Sequence, residues 1–141
     1  MKKPLYLALA ELIGRKHRLS QPGSNATMLR HVEDTLEHLC KEYLPSGSGF
    51  DAGTELAEDE CIQGGLVTKL VFITHFHHMD DHGVYDGWTS HTVKVTPDWR
   101  GFHLAVTGRD RDGIKDFISD TFHHRLMLEV EYEQVPQGGT E

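Results

Sequence analysis

Three strand-like segments in quick succession constrain the fold of this 141-residue chain most strongly. They span residues 67–79, 89–96 and 102–107 and are rich in β-branched and aromatic residues, which favour strands. The connections DDHGVYDGW and PDWRG are short and rich in Asp, Gly and Pro. Connections of this kind are typical of antiparallel hairpins, so we predict an antiparallel sheet.

Helical periods lie on both sides of these strands. Residues 4–19 carry an apolar stripe, and a second helix is predicted from Ser24 or Asn25 up to Pro45. Its apolar residues recur at spacings of three and four: Leu29, Val32, Leu36, Leu39 and Tyr43. A further helix is predicted after residue 110, and alternating residues over 125–133 predict a last strand.

The predicted fold class is therefore α+β. We expect a two-layer, mainly antiparallel sheet of about four strands, in the order β-β-β-α-β, packed by helices and preceded by two N-terminal helices. The length predicts a single domain over 1–141. Within it, 1–44 would be helical, 45–66 an irregular loop, 67–133 sheet plus helix, and 134–141 a frayed tail.

Charge is distributed unevenly. Residues 1–30 hold six Lys or Arg and one acid, while residues 31–141 hold eight Lys or Arg and 21 acids. The first part could attract nucleic acid, whereas the acidic remainder would repel it or mimic DNA. No run approaches the roughly 18 apolar residues of a membrane span, so we expect no membrane contact. Cys40 and Cys61 form no CxxC pair and are expected to be free thiols.

A histidine and aspartate cluster ends the first strand, in the run KLVFITHFHHMDDHG. Strand alternation places His75 and His77 on one side, and a hairpin could bring His91 opposite them. Together with Asp80, Asp81 or Asp86 they could hold zinc, iron or another divalent metal. The alternative is structural, because the chain contains 11 histidines, many in no metal-binding pattern.

The spacing of this cluster differs from a known metal signature. The His-x-His-x-Asp-His run of metallo-β-lactamase-type hydrolases would need Asp at position 79 and His at position 80. This chain has Met79 and Asp80. We therefore expect no cofactor unless the cluster holds a divalent metal in another arrangement.

Aromatic residues in the two hairpin connections favour binding over chemistry. Trp, Tyr and Arg are the side chains that most often anchor protein interfaces. A partner-binding surface is predicted at Tyr85, Trp88, Trp99 and Arg100. The alternative is that the two tryptophans pack back onto the sheet.

The segments LPSGSGFDAGTEL, LVFITHFHHMDDHGVYDGWTSHTVKV and GFHLAVTGRDRDGIKDFISDTF resemble small hypothetical proteins of bacteriophages and other bacterial mobile elements. The resemblance covers roughly residues 44–133. That group has no assigned activity, so it implies no catalytic residues. It implies a soluble protein in a bacterial cytoplasm, of the kind that binds a host or defence protein.

Three functional hypotheses follow. The first is a small non-enzymatic binding protein with a protein partner. The second is a small metal-dependent, hydrolase-type enzyme that uses the His/Asp cluster. The third is a nucleic-acid-associated protein, which would contact nucleic acid through residues 1–30, or a DNA mimic, which would use the acidic remainder. Exposed strand edges would also permit a homodimer.

Overall fold

A computed structural model describes residues 2–47, 53–110 and 113–132. These residues form four helices and eight strands. The elements are β1 (Lys2–Pro4), α1 (Leu5–Leu19), α2 (Ala26–Tyr43), β2 (Gly53–Leu56), α3 (Glu58–Cys61), β3 (Ile62–Gln63), β4 (Leu66–Val67), β5 (Leu70–Met79), β6 (Tyr85–Val95), β7 (Phe102–Gly108), α4 (Ile114–Met127) and β8 (Glu129–Glu131).

The central sheet has the strand order β2-β5-β6-β7, and every neighbouring pair is antiparallel. The predicted α+β class with a mainly antiparallel four-stranded sheet is thereby confirmed. Two small antiparallel pairs, β1 with β8 and β3 with β4, lie outside the central sheet.

The fourth strand of the central sheet is β2, and the prediction that residues 125–133 would supply it is wrong. Helix α4 continues through Met127, because Leu126 extends the buried stripe that Ile118 and Phe122 begin at a spacing of four residues. Only β8 remains of the predicted strand, and it pairs with β1 near the N-terminus.

The segment predicted as an irregular loop also contains regular structure. It includes β2, α3 and β3, and the Ala57 amide donates to the Val71 carbonyl at 2.8 Å. The buried Cys61 thiol accepts from the Val71 amide and donates to the Ala57 carbonyl, both at 3.3 Å. Loop residues 48–52 and the predicted tail, 134–141, lie outside the described residues.

The register divides the central sheet into two faces. Residues directly opposite one another share a face, so Phe72 with Val93 and Thr74 with His91 belong to the inner face. This face is buried, and the Phe72 ring lies 5.6 Å from that of Phe122 on α4. The outer face carries residues such as Ile73 opposite Thr92, which are only half-buried.

Helix α1 is the central helix of the core. Its buried stripe packs against α2, α4 and β5. The stripe consists of Leu5, Ala8, Leu9, Leu12 and Ile13. Among the helices in the described ranges, none is both long and apolar enough to cross a membrane.

Candidate functional site: the tip of the β5–β6 hairpin

The histidines predicted to bind metal lie on two different faces of the sheet. His75 is opposite Ser90 and His77 is opposite Trp88, which places both histidines on the outer face. His91 is opposite Thr74 and is fully buried on the inner face. The register therefore separates His91 from the other two.

The aspartates predicted as further ligands have other surroundings. Asp80 belongs to the turn of the hairpin, Asp81 is exposed, and Asp86 pairs with Arg109 at 2.7 Å. Across the described parts of the chain, no three His, Cys, Asp or Glu side chains are grouped closely enough to hold a metal ion.

Asp80 organises the turn between β5 and β6. Its carboxylate accepts from the backbone amides of His82 at 2.8 Å and Val84 at 2.9 Å. Backbone hydrogen bonds from Asp80 to Val84 and from Gly83 to Asp80 close the same turn. The turn is therefore a defined structure that is held by its own hydrogen bonds.

Four large apolar side chains are exposed at this end of the hairpin. Tyr85 is 51% and Trp88 45% exposed, and Met79 and Val84 are similarly open. Met79 is opposite Tyr85 in the register, and the Tyr85 ring packs edge-on against His77 at 5.6 Å. We call these four residues, Met79, Val84, Tyr85 and Trp88, the tip patch.

Arg109, which follows β7, holds the backbone at the Trp88 end of the tip patch. The Arg109 amide donates to the Trp88 carbonyl at 2.6 Å, and the Arg109 guanidinium donates to the carbonyl and carboxylate of Asp86. The Arg109 side chain passes so close to Gly87 that a Cβ there would lie 2.7 Å from its Cδ. These contacts fix the backbone that presents the Trp88 ring.

Trp99 and Arg100 do not belong to the tip patch. Trp99 and Arg100 come after the last residue of β6, whereas Tyr85 is its first residue. A strand of 11 residues is more than about 30 Å long, so about 30 Å separates Tyr85 from these two residues. The Trp99 ring packs between Tyr6 at 5.1 Å and His123 at 5.2 Å, and so lies on the helices. The predicted contact surface is thus divided, with Tyr85 and Trp88 at one end of the sheet and Trp99 packed inward at the other.

Arg100 is strongly exposed beside this inward tryptophan. Its guanidinium pairs with Asp98 at 2.9 Å. The backbone of the turn is held by the Thr96 hydroxyl, which accepts from the amides of Arg100 and Gly101, both at 2.9 Å. Trp99 has a φ of 61°, which is uncommon for a bulky residue and is maintained by the packing of its ring.

A second group of polar side chains, which includes His78, Thr89 and His91, is buried on the inner face of the central sheet. His78 Nε2 lies 2.5 Å from the Thr89 hydroxyl and 2.9 Å from the Arg109 carbonyl. His91 is fully buried, and neither ring nitrogen has a hydrogen-bond partner in the described chain. Its Nε2 is 4.0 Å from an Asp110 carboxylate oxygen.

The surroundings of His91 keep its ring neutral near pH 7. Burial lowers the pKa of His91, Asp110 acts in the opposite direction, and electrostatic interactions with His78 and Lys115 lower the pKa further. Because the ring is enclosed, a substrate cannot reach it in this conformation. The arrangement is that of a histidine that fills the sheet core.

An acidic cleft of about 450 Å³ lies between α1, α2 and β2. Glu33, Glu37, Glu55 and Glu58 line it, and Lys16 pairs with Glu58 at 2.7 Å. Cys40 also lines the cleft, and burial raises the pKa of its thiol to about 12, so the thiol stays protonated.

Several of the basic N-terminal residues pair with acidic residues within the fold. Lys3 forms an ion pair with Glu11, and the buried Arg15 pairs with the same carboxylate at 2.9 Å. Lys16 faces the acidic cleft. Lys3, Arg15 and Lys16, among the six cations in residues 1–30, thus have acidic neighbours, which reduces the positive potential available to nucleic acid.

Comparisons of the chain with protein-family models, curated proteins and solved structures found no match.

The sequence predicted Tyr85 and Trp88 as contact residues but did not indicate the residues that pack against them. Gly87, Gly108 and Arg109 were not recognised as parts of the site. Glycines at the ends of strands were the available signal, since such positions often mark a close approach of backbone or side chain.

Proposed function

We propose that this protein is a small non-enzymatic binding protein that contacts a protein partner through the tip patch. The observation that carries the proposal is the group of four exposed apolar residues at the end of a hairpin with a structured turn: Met79, Val84, Tyr85 and Trp88. Clustered apolar side chains of this size mark interaction sites more often than isolated ones do.

The energetics support an interface at this position. Burying one such side chain fully contributes about 1.5–3 kcal/mol, and aromatic anchors are the residues whose loss weakens interfaces most. The bonds that Asp80 makes to His82 and Val84 hold the turn in advance. Little conformational entropy is then lost on binding, which leaves more of the burial energy as affinity.

The charges near the tip patch indicate the kind of partner. Asp80 and the exposed Asp81 lie in the turn beside Val84. A surface with an apolar pocket and a basic rim would complement this arrangement. The resemblance to phage and mobile-element proteins adds a context, in which the partner is a host or defence protein and the chain is an accessory factor in a bacterial cell.

The metal-dependent enzyme stays a prediction with less structural support. Only His75 and His77 of the predicted set share a face, and a catalytic zinc site needs three protein ligands. The nucleic-acid hypothesis is likewise weakened by the ion pairs of Lys3, Arg15 and Lys16.

Affinity capture with matched variants tests the binding proposal. Wild type, Tyr85→Ala, Trp88→Ala and the control Leu66→Ala are immobilised and exposed to bacterial extract, and the bound proteins are quantified by mass spectrometry. Leu66 is an exposed apolar residue, 71% accessible, in β4 outside the central sheet. The partner should be depleted by both tip variants and retained by the control.

Reconstitution then makes the test quantitative. With the purified partner, loss of the Trp88 ring should weaken binding about 30-fold, which corresponds to about 2 kcal/mol. Equal affinity of all four proteins for every captured partner would refute a role for the tip patch.

A further inference from the structure

Strand β7 forms an open edge of the central sheet. It pairs with β6 on one side, and no strand in the described part of the chain pairs with its other side. Backbone amides and carbonyls on such an edge can template pairing with another strand.

The hydrogen bonds at both ends of the β6–β7 ladder show which groups point outward. The Thr96 amide donates to the Gly101 carbonyl, and the Arg109 amide donates to the Trp88 carbonyl. Because bonded pairs alternate along an antiparallel ladder, His103, Ala105 and Thr107 bond towards β6. The groups that face the open edge are those of Phe102, Leu104, Val106 and Gly108.

This edge lacks the devices that normally prevent strand addition. Its seven residues, FHLAVTG, include no Lys, Arg, Asp, Glu or Pro. The opposite edge, β2, is four residues long, carries Glu55 and is followed by the acidic run Glu58–Cys61. Two copies meeting at β2 would place carboxylates together, whereas two copies meeting at β7 would not.

We propose that β7 pairs with β7 of a second copy of this chain, antiparallel and about a two-fold axis at Ala105. In this register Leu104 is opposite Val106 of the other copy, and Phe102 is opposite Gly108. All outward groups of the strand find partners, in about eight new hydrogen bonds across the two-fold axis. The product is one continuous sheet of eight strands with an isologous interface.

Side chains on both faces are compatible with this register. On the inner face, Leu104 and Val106 extend the apolar surface. The exposed Phe102 ring is opposite Gly108, on which the Trp88 ring already packs, so the two rings would be neighbours. On the outer face, two small Ala105 side chains meet at the axis. No pair of like charges is opposed along the ladder, although each copy carries a net charge of −8.

The proposed dimer leaves most of the tip patch uncovered. Met79, Val84 and Tyr85 lie beyond the part of β6 that pairs with β7, which begins at Thr89, whereas Trp88 packs on Gly108 at the end of that ladder. The two-fold axis would place the two tip patches at opposite ends of the shared ladder, and each would remain open to a partner.

Substitution of Ala105 by charged residues tests the interface. Ala105 is exposed on the outer face, so Ala105→Lys and Ala105→Glu leave the core intact. Sedimentation velocity from micromolar to millimolar concentration measures self-association of wild type, of each variant and of their equimolar mixture. Thermal melting and circular dichroism check that the variants are folded.

The expected result is a wild-type dimer that each single variant weakens by about fivefold or more, because like charges then meet at the axis. The mixture should recover a dimer that contains one copy of each variant. Ala105→Lys is the more discriminating variant, since it reduces the net negative charge and would otherwise favour association. The control Leu66→Lys has the same charge change and should not weaken the dimer.

Two outcomes would overturn the proposal. One is a wild-type protein that stays monomeric over the whole concentration range. The other is a dimer whose affinity is the same in wild type and Ala105→Lys, since that dimer would use another surface. A mixture of folded variants that fails to recover the dimer would refute the two-fold register at Ala105.

Discussion

The indole ring of Trp88 lies directly over the backbone of Gly108. A Cβ on Gly108 would come within 2.8 Å of Cε3 and Cζ3 of that ring and of the Trp88 carbonyl oxygen. Gly108 also has a φ of 94°, which favours glycine. One glycine thus sets both the end of β7 and the position of the main aromatic residue in the tip patch.

Gly108→Ala should therefore destabilise the fold and disturb the tip patch together. Gly23→Ala is the matched control, because Gly23 has a similar φ of 86° and open space around it. We expect Gly108→Ala to lower the free energy of unfolding by about 1–3 kcal/mol more than the control does, as both the Trp88 ring and the Trp88 carbonyl must move. Urea denaturation measures both. Equal losses would show that the ring gives way at no cost.

Asp80→Ala and Asp80→Asn distinguish a turn residue from a metal ligand. Alanine removes the acceptor for the His82 and Val84 amides, which should cost about 1 kcal/mol of stability and weaken partner binding. Asparagine retains an acceptor oxygen and should restore most of both. Thermal melting with and without a chelator reads out the difference. A melting temperature that falls with chelator in wild type alone would favour the metal ligand instead.

His91 makes stability depend on pH. Its pKa is lowered in the folded state from an ordinary value of 6.5, so the unfolded chain takes up a proton first as the pH falls. Its contribution is present above about pH 6.5 and is lost below it, at up to about 1.4 kcal/mol per pH unit. His91→Leu should flatten the dependence between pH 7.5 and 5.5 in urea titrations, whereas the exposed His38→Gln should not. An unchanged slope in His91→Leu would contradict the assignment.

Glu11 should contribute stability that acid removes. Burial acts to raise the pKa of Glu11, but hydrogen bonds from Lys3 and Tyr132 and the charge of Arg15 outweigh it, so the pKa is lowered. The contribution is therefore present above about pH 4.5 and is lost as the pH falls through the folded-state pKa.

Glu11→Gln should then cost about 2 kcal/mol at pH 7, because the buried Arg15 loses its carboxylate. The loss should be smaller at pH 3.5, where the wild-type carboxyl is increasingly protonated. The exposed Glu42→Gln on α2 is the control and should change little at either pH. Urea denaturation gives the values, and a loss at pH 7 no greater than in the control would contradict this role.

The elements with strong local patterns were the ones that sequence could predict. Helical spacing located α2, and β-branched runs with short Asp- and Gly-rich connections located β5, β6 and β7. Residues 125–127 misled the prediction because alternation over a few residues also fits a helix turn. The buried spacing from Ile118 to Leu126 decided for the helix.

The candidate site was predicted only in part, because faces and ends depend on register. Alternation along β5 correctly grouped His75 with His77, but the side taken by His91 depends on its pairing with Thr74. Likewise, Trp88 and Trp99 both lie in predicted hairpin connections, and only the packing of Tyr6 and His123 around Trp99 distinguishes them. Contacts between distant segments carry no local signal.

Photo-crosslinking in living bacterial cells tests the central claim most directly. Tyr85→p-benzoylphenylalanine places a reactive group in the tip patch, and Leu66→p-benzoylphenylalanine places one at an exposed apolar residue elsewhere. The account predicts a discrete adduct with one partner protein from position 85 and no such adduct from position 66. No adduct from position 85, or the same adduct from both positions, would contradict it.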